Sequence, residues 1–482
     1  MDKTVVDHLK ILYKKWCGEE ALTVTPLPES GSNRQYFRIS KKNRTAIGTF
    51  SPDERENSAF LYLSGHLRRH NIYVPEIYQT DLANHIYLQE DLGDTSLFEY
   101  QNALKIKNGT SGELKELLKK VIYEMPKFQI HAAADLDFSI CYPRTAFDRQ
   151  SIMWDLNYFK YYFIKLVKVP FYEQDLENDF EELTGFLLKA DSRFFLYRDF
   201  QSRNIMLKDD KICFIDYQGG RRGALQYDLA SFLFEAKTEL SSSLREDLLE
   251  YYLSILPDYL PQFDRKSFID YYYGYVLIRI MQALGAYGYR GYFERKPLFL
   301  QSIPPALKNL EWVISHVELP VKLPELYKIF RQLVKSRQFE IPSNKEKGLT
   351  VHIISFSYKK GGIPSDLSEN GGGFVFDCRA LPNPGRYPEY KEYTGKDKPV
   401  IDFLEKEKAV KKFLENICQL VDASVNNYLD RKFTRLMISF GCTGGQHRSV
   451  YAAEKLKQHL VEKYDIGIVL NHMEVKETGY NG

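Results

Sequence analysis

The chain has 482 residues, 44% hydrophobic and 27% charged, which excludes a disordered or fibrous protein and predicts roughly two to four domains at ~100–200 residues each. With 66 basic and 64 acidic residues the net charge is +2, so no overall field draws the protein to nucleic acid or anionic lipid. The six cysteines lie far apart with no C-x-x-C pair, which argues against a zinc ribbon or disulfide framework and for reduced thiols in a cytoplasmic protein.

Val6, Leu9, Tyr13 and Trp16 recur at helical spacing near the N-terminus, predicting an amphipathic helix and not a signal peptide. The most apolar later run, Tyr275–Ile280, contains Arg279 and falls far short of the ~20 residues needed to span a bilayer. No membrane partner is expected. Short β-rich runs at Tyr36–Ser40, Thr45–Phe50 and His85–Gln89 flank a helix over Glu54–His70, in which Phe60, Leu61, Leu63 and Leu67 keep the helical period. From about Ser96 to Lys335 the pattern is mostly helical, with long segments at 112–134, 148–168, 175–190 and 243–288 and one strand-rich island, Phe194–Gly219. A small sheet lobe followed by a large helical lobe leaves a cleft between them. Ser336–Gly348 is polar, carries a proline and reads as a linker. Beyond it, strands at Thr350–Phe356, Gly373–Cys378, Thr434–Phe440 and Gly467–Asn471 alternate with helices at Ala409–Tyr428 and Ser449–Lys463. That alternation predicts a small α/β domain with a largely parallel sheet.

Within the island, Asp199 precedes Asn204 by five positions and Asp216 follows an apolar strand. Phosphoryl transfer from ATP needs one carboxylate at the acceptor hydroxyl, and an amide oxygen with a second carboxylate to hold Mg²⁺ on the phosphates. Taken singly, these residues are better explained as Asx turns and a strand cap; their joint spacing between apolar strands, after a sheet-rich lobe, reverses that in favour of the chemistry. The small residues Ser30, Gly31 and Ser32 let backbone N–H groups approach a phosphate, although an ordinary hairpin explains them as well. Asp228 reads as a helix cap for Leu229–Glu235.

The segment Arg198–Asn204 (RDFQSRN) with Ile215–Gln218 (IDYQ) resembles the catalytic core of the aminoglycoside phosphotransferase-like kinases, and within them the anomeric kinases of N-acetylmuramate and N-acetylglucosamine. Gly31–Arg38 (GSNRQYFR), Leu88–Asp94 (LQEDLGD) and Tyr227–Ser231 (YDLAS) extend the resemblance over about residues 25–330. It implies an α+β bilobal protein-kinase-like fold over 1–335, with an N-lobe to about 92 and a C-lobe from about 93. The cofactors it implies are ATP and Mg²⁺, with Asp199 as catalytic base and Asn204 and Asp216 as metal ligands. It further implies Gln89, Glu90 and Leu92 as the adenine-reading hinge, and Gly31, Ser32 and Asn33 at the phosphates. Two departures stand out. Tyr197 occupies a position where most of this group has histidine, and the strand Thr45–Phe50 lacks the phosphate-binding lysine of protein kinases. Arg34 and Arg38 are the candidate replacements, with Glu56 as the partner carboxylate.

A second loop, Gly441–Ser449 (GCTGGQHRS), lies between a predicted strand and a predicted helix. Unpaired N–H groups at such a junction form an anion site. Cys442 and Arg448 have the C-x5-R-S spacing of cysteine phosphatases, in which a thiolate attacks phosphate and the arginine grips it. Asp377 is the only obvious general acid. The alternative is a tight turn with a buried cysteine. This segment, with Phe374–Pro384 (FVFDCRALPNP) and Thr394–Pro399 (TGKDKP), resembles the C-terminal domain of the RapZ family over about 350–475. That resemblance implies a receptor for amino-sugar metabolites and, in some members, regulatory RNA, with Cys442, Thr443, Gly444, Gly445, Gln446, His447, Arg448, Ser449, Asp377 and Arg379 as ligand residues. The usual RapZ partner domain carries G-x4-G-K-[ST], which is absent here. From residue 341 onward 21 basic residues face 18 acidic ones, so metabolite binding carries over better than RNA binding.

The resulting expectation is a cytoplasmic ATP-dependent kinase of a small amino sugar, as in cell-wall recycling. It is joined through a linker over 336–349 to a smaller α/β domain over 350–482 that senses a sugar phosphate or nucleotide sugar; self-association as a homo-oligomer is allowed. The competing reading is a regulatory or RNA-binding adapter with a vestigial kinase domain.

Overall fold

The computed structural model describes residues 3–28, 34–42, 44–106, 111–294, 296–336, 339, 348–360, 362–364, 366 and 372–475. The chain forms two compact units, one of residues 1–289 with 305–336 and one of residues 290–304 with 337–482. No described helix is long and apolar enough to cross a membrane.

The first unit opens with helix α1 (Lys3–Cys17). Its Val5, Leu9, Leu12 and Tyr13 are buried in one core cluster with Phe37, Ile39, Ala46, Ile86 and Leu88 of a five-stranded sheet. That sheet comprises β1 (Thr23–Pro26), β2 (Gln35–Lys41), β3 (Arg44–Phe50), β4 (Ile77–Asp81) and β5 (Ile86–Glu90), in the order β1-β2-β3-β5-β4. Every neighbouring pair is antiparallel. A Cβ at Gly48 would lie 2.7 Å from Leu9 Cδ2, so glycine lets α1 settle on β3. Between β3 and β4 runs α2 (Glu54–Arg69), whose N-cap Asp53 accepts from the Arg55 and Glu56 N–H groups. The composition gave no signal for β1 or β4. Both are edge strands, mostly exposed or half-buried, and so lack the alternation that burial imposes.

The rest of this unit is helical: α3 (Leu97–Ile106), α4 (Ser111–Pro126), α5 (Arg149–Phe159), α6 (Glu173–Leu187), α7 (Gln226–Leu233), α8 (Ser242–Ile255) and α9 (Arg265–Gly288). The single helix expected over 243–288 is two, because Pro257 and Pro261 fall between α8 and α9 and Asp264 caps the second. The strand island divides into two short antiparallel ladders, β6 (Phe194–Leu196) with β9 (Arg221–Gly223) and β7 (Ile205–Lys208) with β8 (Lys211–Phe214). The next helices in the chain are α10 (Pro297–Leu300), α11 (Ile303–His316) and α12 (Pro324–Val334). This is the expected α+β kinase-like plan of sheet lobe, then helical lobe.

The second unit holds β10 (Thr350–Ser357), β11 (Gly373–Asp377), α13 (Lys398–Lys406), α14 (Lys408–Asp430), β12 (Arg435–Cys442), α15 (Arg448–Lys463) and β13 (Gly467–His472). Its sheet runs β11-β12-β10-β13 and each pair is parallel, as the strand–helix alternation required. Val351, Ile353, Ile438 and Phe440 fill the core with Val421, Val425, Leu456 and Leu460 from the helices. Strand β12 continues to Cys442, so the glycine loop starts directly at the end of a buried strand.

Candidate functional site

Strand β6 delivers the chain to Tyr197–Asn204, and α7 fixes that segment from behind. The Asp228 carboxylate accepts the Tyr197 N–H at 2.8 Å, the Arg198 N–H at 3.1 Å and Gln129 Nε2 at 3.3 Å. The helix-cap role expected for Asp228 is therefore corrected. It lies inside α7, Leu225 is the N-cap, and the carboxylate holds the catalytic loop. Burial pushes this carboxyl up to about 7, against the opposing pull of those donors and of the Arg279 charge. Arg198, at φ +84, grips Asp155 through two bonds of 2.6 and 2.8 Å, and its guanidinium lies over the Phe147 and Tyr227 rings. The Tyr197 hydroxyl donates to the Ile215 carbonyl at 2.5 Å. That bond ties the Tyr197–Asn204 segment to the residue before Asp216.

Asp199, Asn204 and Asp216 come together. Asn204 Nδ2 donates to the Asp199 carbonyl at 2.8 Å and to Asp216 Oδ2 at 3.2 Å. Asp216 adopts φ +69, a strained backbone for a side-chain-bearing residue and characteristic of functional turns. Burial raises its pKa first and the charge of Asp199 second, while Arg203 and Arg34 oppose the rise. Gln218, which sequence reasoning passed over, donates Nε2 to Asp216 Oδ1 at 2.7 Å and keeps its own buried Oε1 without a hydrogen-bond partner. Its signal was the spacing Asp216-x-Gln218 at the turn. Two neighbouring carboxylates and an orphaned amide oxygen form an oxygen-rich donor set. That is the chemistry a hard divalent cation such as Mg²⁺ fits.

On the nucleotide side, Gly31, Ser32 and Asn33 lie outside the described residues. Arg34 is buried, pairs with Glu56 at 3.3 Å and stacks over Phe60. The arginine of this pair lies just before β2, not on β3 where protein kinases carry the lysine. Arg38 pairs with Asp91 at 2.8 Å and Asp94 at 2.8 Å and so ties β2 to the hinge. Hinge availability narrows too. The Glu90 N–H donates to the Glu76 carbonyl and the Asp91 carbonyl accepts Lys208 Nζ, both at 2.8 Å. The Glu90 carboxylate accepts the Tyr73 hydroxyl and Lys208 Nζ, so the Glu90 side chain braces the hinge. Gln89 stands opposite Ile47 in the sheet, one pair before its end at Glu90 and Ala46, with its buried Oε1 unpartnered.

In the second unit Cys442 Sγ accepts the Gly445 N–H at 3.2 Å and lies 3.1 Å from Ser449 Oγ. Gly445 supplies φ +72, and Gln446 and His447 are tied to the Gly395 N–H and the Tyr390 carbonyl. Arg448 departs from expectation. Its Nη1 donates to the Arg379 and Leu381 carbonyls, both at 2.8 Å, which braces the turn after β11. Only Nη2, 3.5 Å from Thr443 Oγ1, and the buried, unpartnered Nε remain. Thr443 and Gly444 complete the loop between them. Asp377 accepts the Arg379 N–H and pairs with its guanidinium at 2.7 Å. That partner holds the Asp377 carboxyl below the usual range. A carboxyl shifted in that direction is poorly suited to the general-acid role a phosphatase needs.

The RapZ C-terminal domain model matches residues 349–476. A nucleotide-binding protein of Fervidobacterium nodosum is 38% identical over 136 residues, 28% of this chain and 46% of that protein. One from Dechloromonas aromatica is 46% identical over 120 residues, 25% and 40% respectively. The chain thus spans less than half the length of these curated relatives. Among solved structures, choline kinase LicA from Streptococcus pneumoniae is similar at 14% identity and a TM-score of 0.41, over 64% of this chain and 100% of that one. A Plasmodium vivax ethanolamine kinase is similar at 14% identity and a TM-score of 0.45, over 69% and 91%. Residues 23–263, half of the chain, match the phosphotransferase enzyme family, and the chain belongs to that family.

Proposed function

We propose that the first unit transfers the γ-phosphoryl group of ATP to a hydroxyl of a small amino sugar of the N-acetylmuramate and N-acetylglucosamine class. The observation that carries this reading is the convergence of Asp199, Asn204 and Asp216 on one loop system. Asp199 takes the hydroxyl proton as the new O–P bond forms. Asn204, Asp216 and Gln218 Oε1 would hold Mg²⁺, which supplies charge neutralisation at the phosphates when bound. Arg34, kept in place by Glu56 and Phe60, serves the phosphates from the sheet side. A chain with a vestigial site has no need of all of these.

The second unit is proposed as a receptor for a sugar phosphate. Backbone N–H groups of the Cys442–Ser449 loop and the remaining Arg448 donors suit a phosphate dianion, and the paired state of Asp377 speaks against hydrolysis. The test is ATP turnover by the full chain with N-acetylmuramate, N-acetylglucosamine and an aminoglycoside. Sugar-dependent ADP release that Asp199→Asn removes is the expected result. Turnover with the aminoglycoside alone would sink the amino-sugar assignment, and none with any acceptor would favour the adapter.

A further inference from the structure

Two histidines and a carboxylate that phosphoryl transfer does not use meet at the C-terminal end of α2. His66 lies in the last turn of that helix and His70 is its C-cap, so the two imidazoles, four residues apart, share a face. Asp135 closes the short helical turn Ala132–Asp135. His70 Nε2 is 2.8 Å and His66 Nε2 is 3.6 Å from the same oxygen, Asp135 Oδ1. The ligand atoms of all three side chains lie within 4.8 Å of one another. His66 Nε2 is also 2.7 Å from the Ala132 carbonyl oxygen, which offers a further ligand. The His131 ring packs edge-on against that of His70, centroids 5.1 Å apart.

Hydrogen bonds alone are satisfied by His66 on the Ala132 carbonyl and His70 on Asp135. A cation accounts in addition for the convergence of both Nε2 atoms on one oxygen. Tetrahedral zinc with bonds of about 2.0–2.2 Å holds neighbouring ligand atoms roughly 3.3–3.6 Å apart. The His66–Asp135 separation already has that value, and the Asp135 carboxylate, 65% exposed, can withdraw from His70 by the roughly half an ångström that the same geometry asks. The site has a fixed wall and an entry path: His66 is 1% exposed, whereas Asp135 faces solvent. Tyr62 stacks on the His66 ring, and its hydroxyl accepts the Asp137 N–H at 3.1 Å, so the first ligand is held in place. Binding at Nε2 moves the His66 proton to Nδ1. Arg69 Nη2 stands 3.5 Å from that atom, at the limit of a hydrogen bond and on an exposed side chain that can turn aside. Imidazole with carboxylate and carbonyl suits zinc, whereas calcium and magnesium prefer oxygen alone.

We propose that His66, His70 and Asp135 bind a divalent transition-metal ion of the zinc class, with the Ala132 carbonyl or water completing its shell. None of these residues belongs to the Asp199–Asp216 segment, so this cation is additional to any Mg²⁺ on the nucleotide. The ion staples the end of α2 to the turn at Ala132–Asp135. The same helix carries Glu56, the partner of Arg34, and Ser64, whose hydroxyl lies 2.6 Å from that of Tyr217 beside Asp216. A fixed α2 therefore holds the sheet-side support of the nucleotide site.

The test is calorimetry of Zn²⁺ on the chelator-treated full chain in excess Mg²⁺. Saturable binding of one Zn²⁺ per chain is expected. Loss of an outer-shell partner alone costs ~10–100-fold in metal affinity, so His70→Gln and Asp135→Asn should each weaken binding at least tenfold. Asp216→Ala should leave it within threefold. Both ligand variants spare the buried His66, and an unchanged unfolding midpoint without metal reports that they fold. Zn²⁺ should raise that midpoint in the natural chain and not in the variants. It should also slow amide hydrogen exchange over 62–70 and 131–137. Co²⁺ in place of Zn²⁺ should give visible bands without thiolate-to-metal charge transfer. Absence of saturable binding overturns the proposal, as does binding that both ligand variants leave within threefold. A thiolate band with Co²⁺ overturns it too, because the metal would then sit on cysteine.

Discussion

Asp199 and Asp216 lie in one hydrogen-bonded group yet face different tasks, and substitution separates them. A general base contributes ~10²–10⁴-fold, so Asp199→Asn should lower kcat by that order while ATP affinity, measured by calorimetry, stays within a few fold. Asp216→Ala should weaken Mg·ATP binding as well, because it removes a carboxylate from the donor set that includes Gln218 Oε1. Near-normal turnover in both variants would refute the assignment. The two arginines of the sheet lobe separate in the same way. Arg34→Gln removes a buried charge paired with Glu56; a charge-assisted bond worth about 1.5–3 kcal/mol predicts a rise in KM for ATP of at least tenfold. Arg38→Gln breaks only the ties to Asp91 and Asp94 and should change KM for ATP much less. Equal effects would mean that the hinge, and not Arg34, governs nucleotide affinity.

Elements that bury a face were legible in the sequence, since burial imposes a period: α2, β2, β3, β5, α14 and the four parallel strands of the second unit all follow the pattern of their apolar residues. Edge strands β1 and β4 gave no such signal, and the break between α8 and α9 was hidden by aromatic residues on both sides of Pro257 and Pro261. The site was legible where chemistry sits within one short segment, as in Arg198–Asn204. It was not where partners lie far apart in the chain. Arg38 is 53 residues from Asp91, and Arg448 is 69 from the carbonyl it braces; local sequence cannot show which cation is already engaged. Strand β10 supplies a pH test of the same kind. Burial, and after it the Arg435 charge, lower His352 to about 4, below the 6.5 of an unhindered imidazole. The unfolded chain therefore takes up the proton first, so stability conferred by the neutral ring is complete above about pH 6.5 and is lost as the pH falls towards 4. The window of about 2.5 units amounts to roughly 3 kcal/mol at most. His352→Gln should flatten the pH dependence of unfolding of the second unit between pH 6.5 and 4; an unchanged slope would assign the acid lability elsewhere.

At the scale of the whole molecule, a phosphotransferase-family unit and a RapZ C-terminal domain share one chain, and the question for the second is whether its loop binds phosphate or cleaves it. Arg448→Ala cannot decide this cleanly. It would strip the Arg379 and Leu381 carbonyls of their donor, and unsatisfied buried groups cost about 1–3 kcal/mol each, so lost binding would be confounded with a loosened turn. Cys442→Ser is the sharper probe. The serine hydroxyl can still accept the Gly445 N–H and bond to Ser449, so the loop keeps its shape, but it cannot supply a thiolate. A receptor loop should therefore bind glucosamine 6-phosphate on the full chain within about tenfold of the natural affinity, and neither form should hydrolyse p-nitrophenyl phosphate. Hydrolysis present in the natural chain and absent from Cys442→Ser would establish thiolate chemistry and overturn the receptor reading, with the proton donor to be sought first among residues other than Asp377, whose carboxyl Arg379 holds below its usual range.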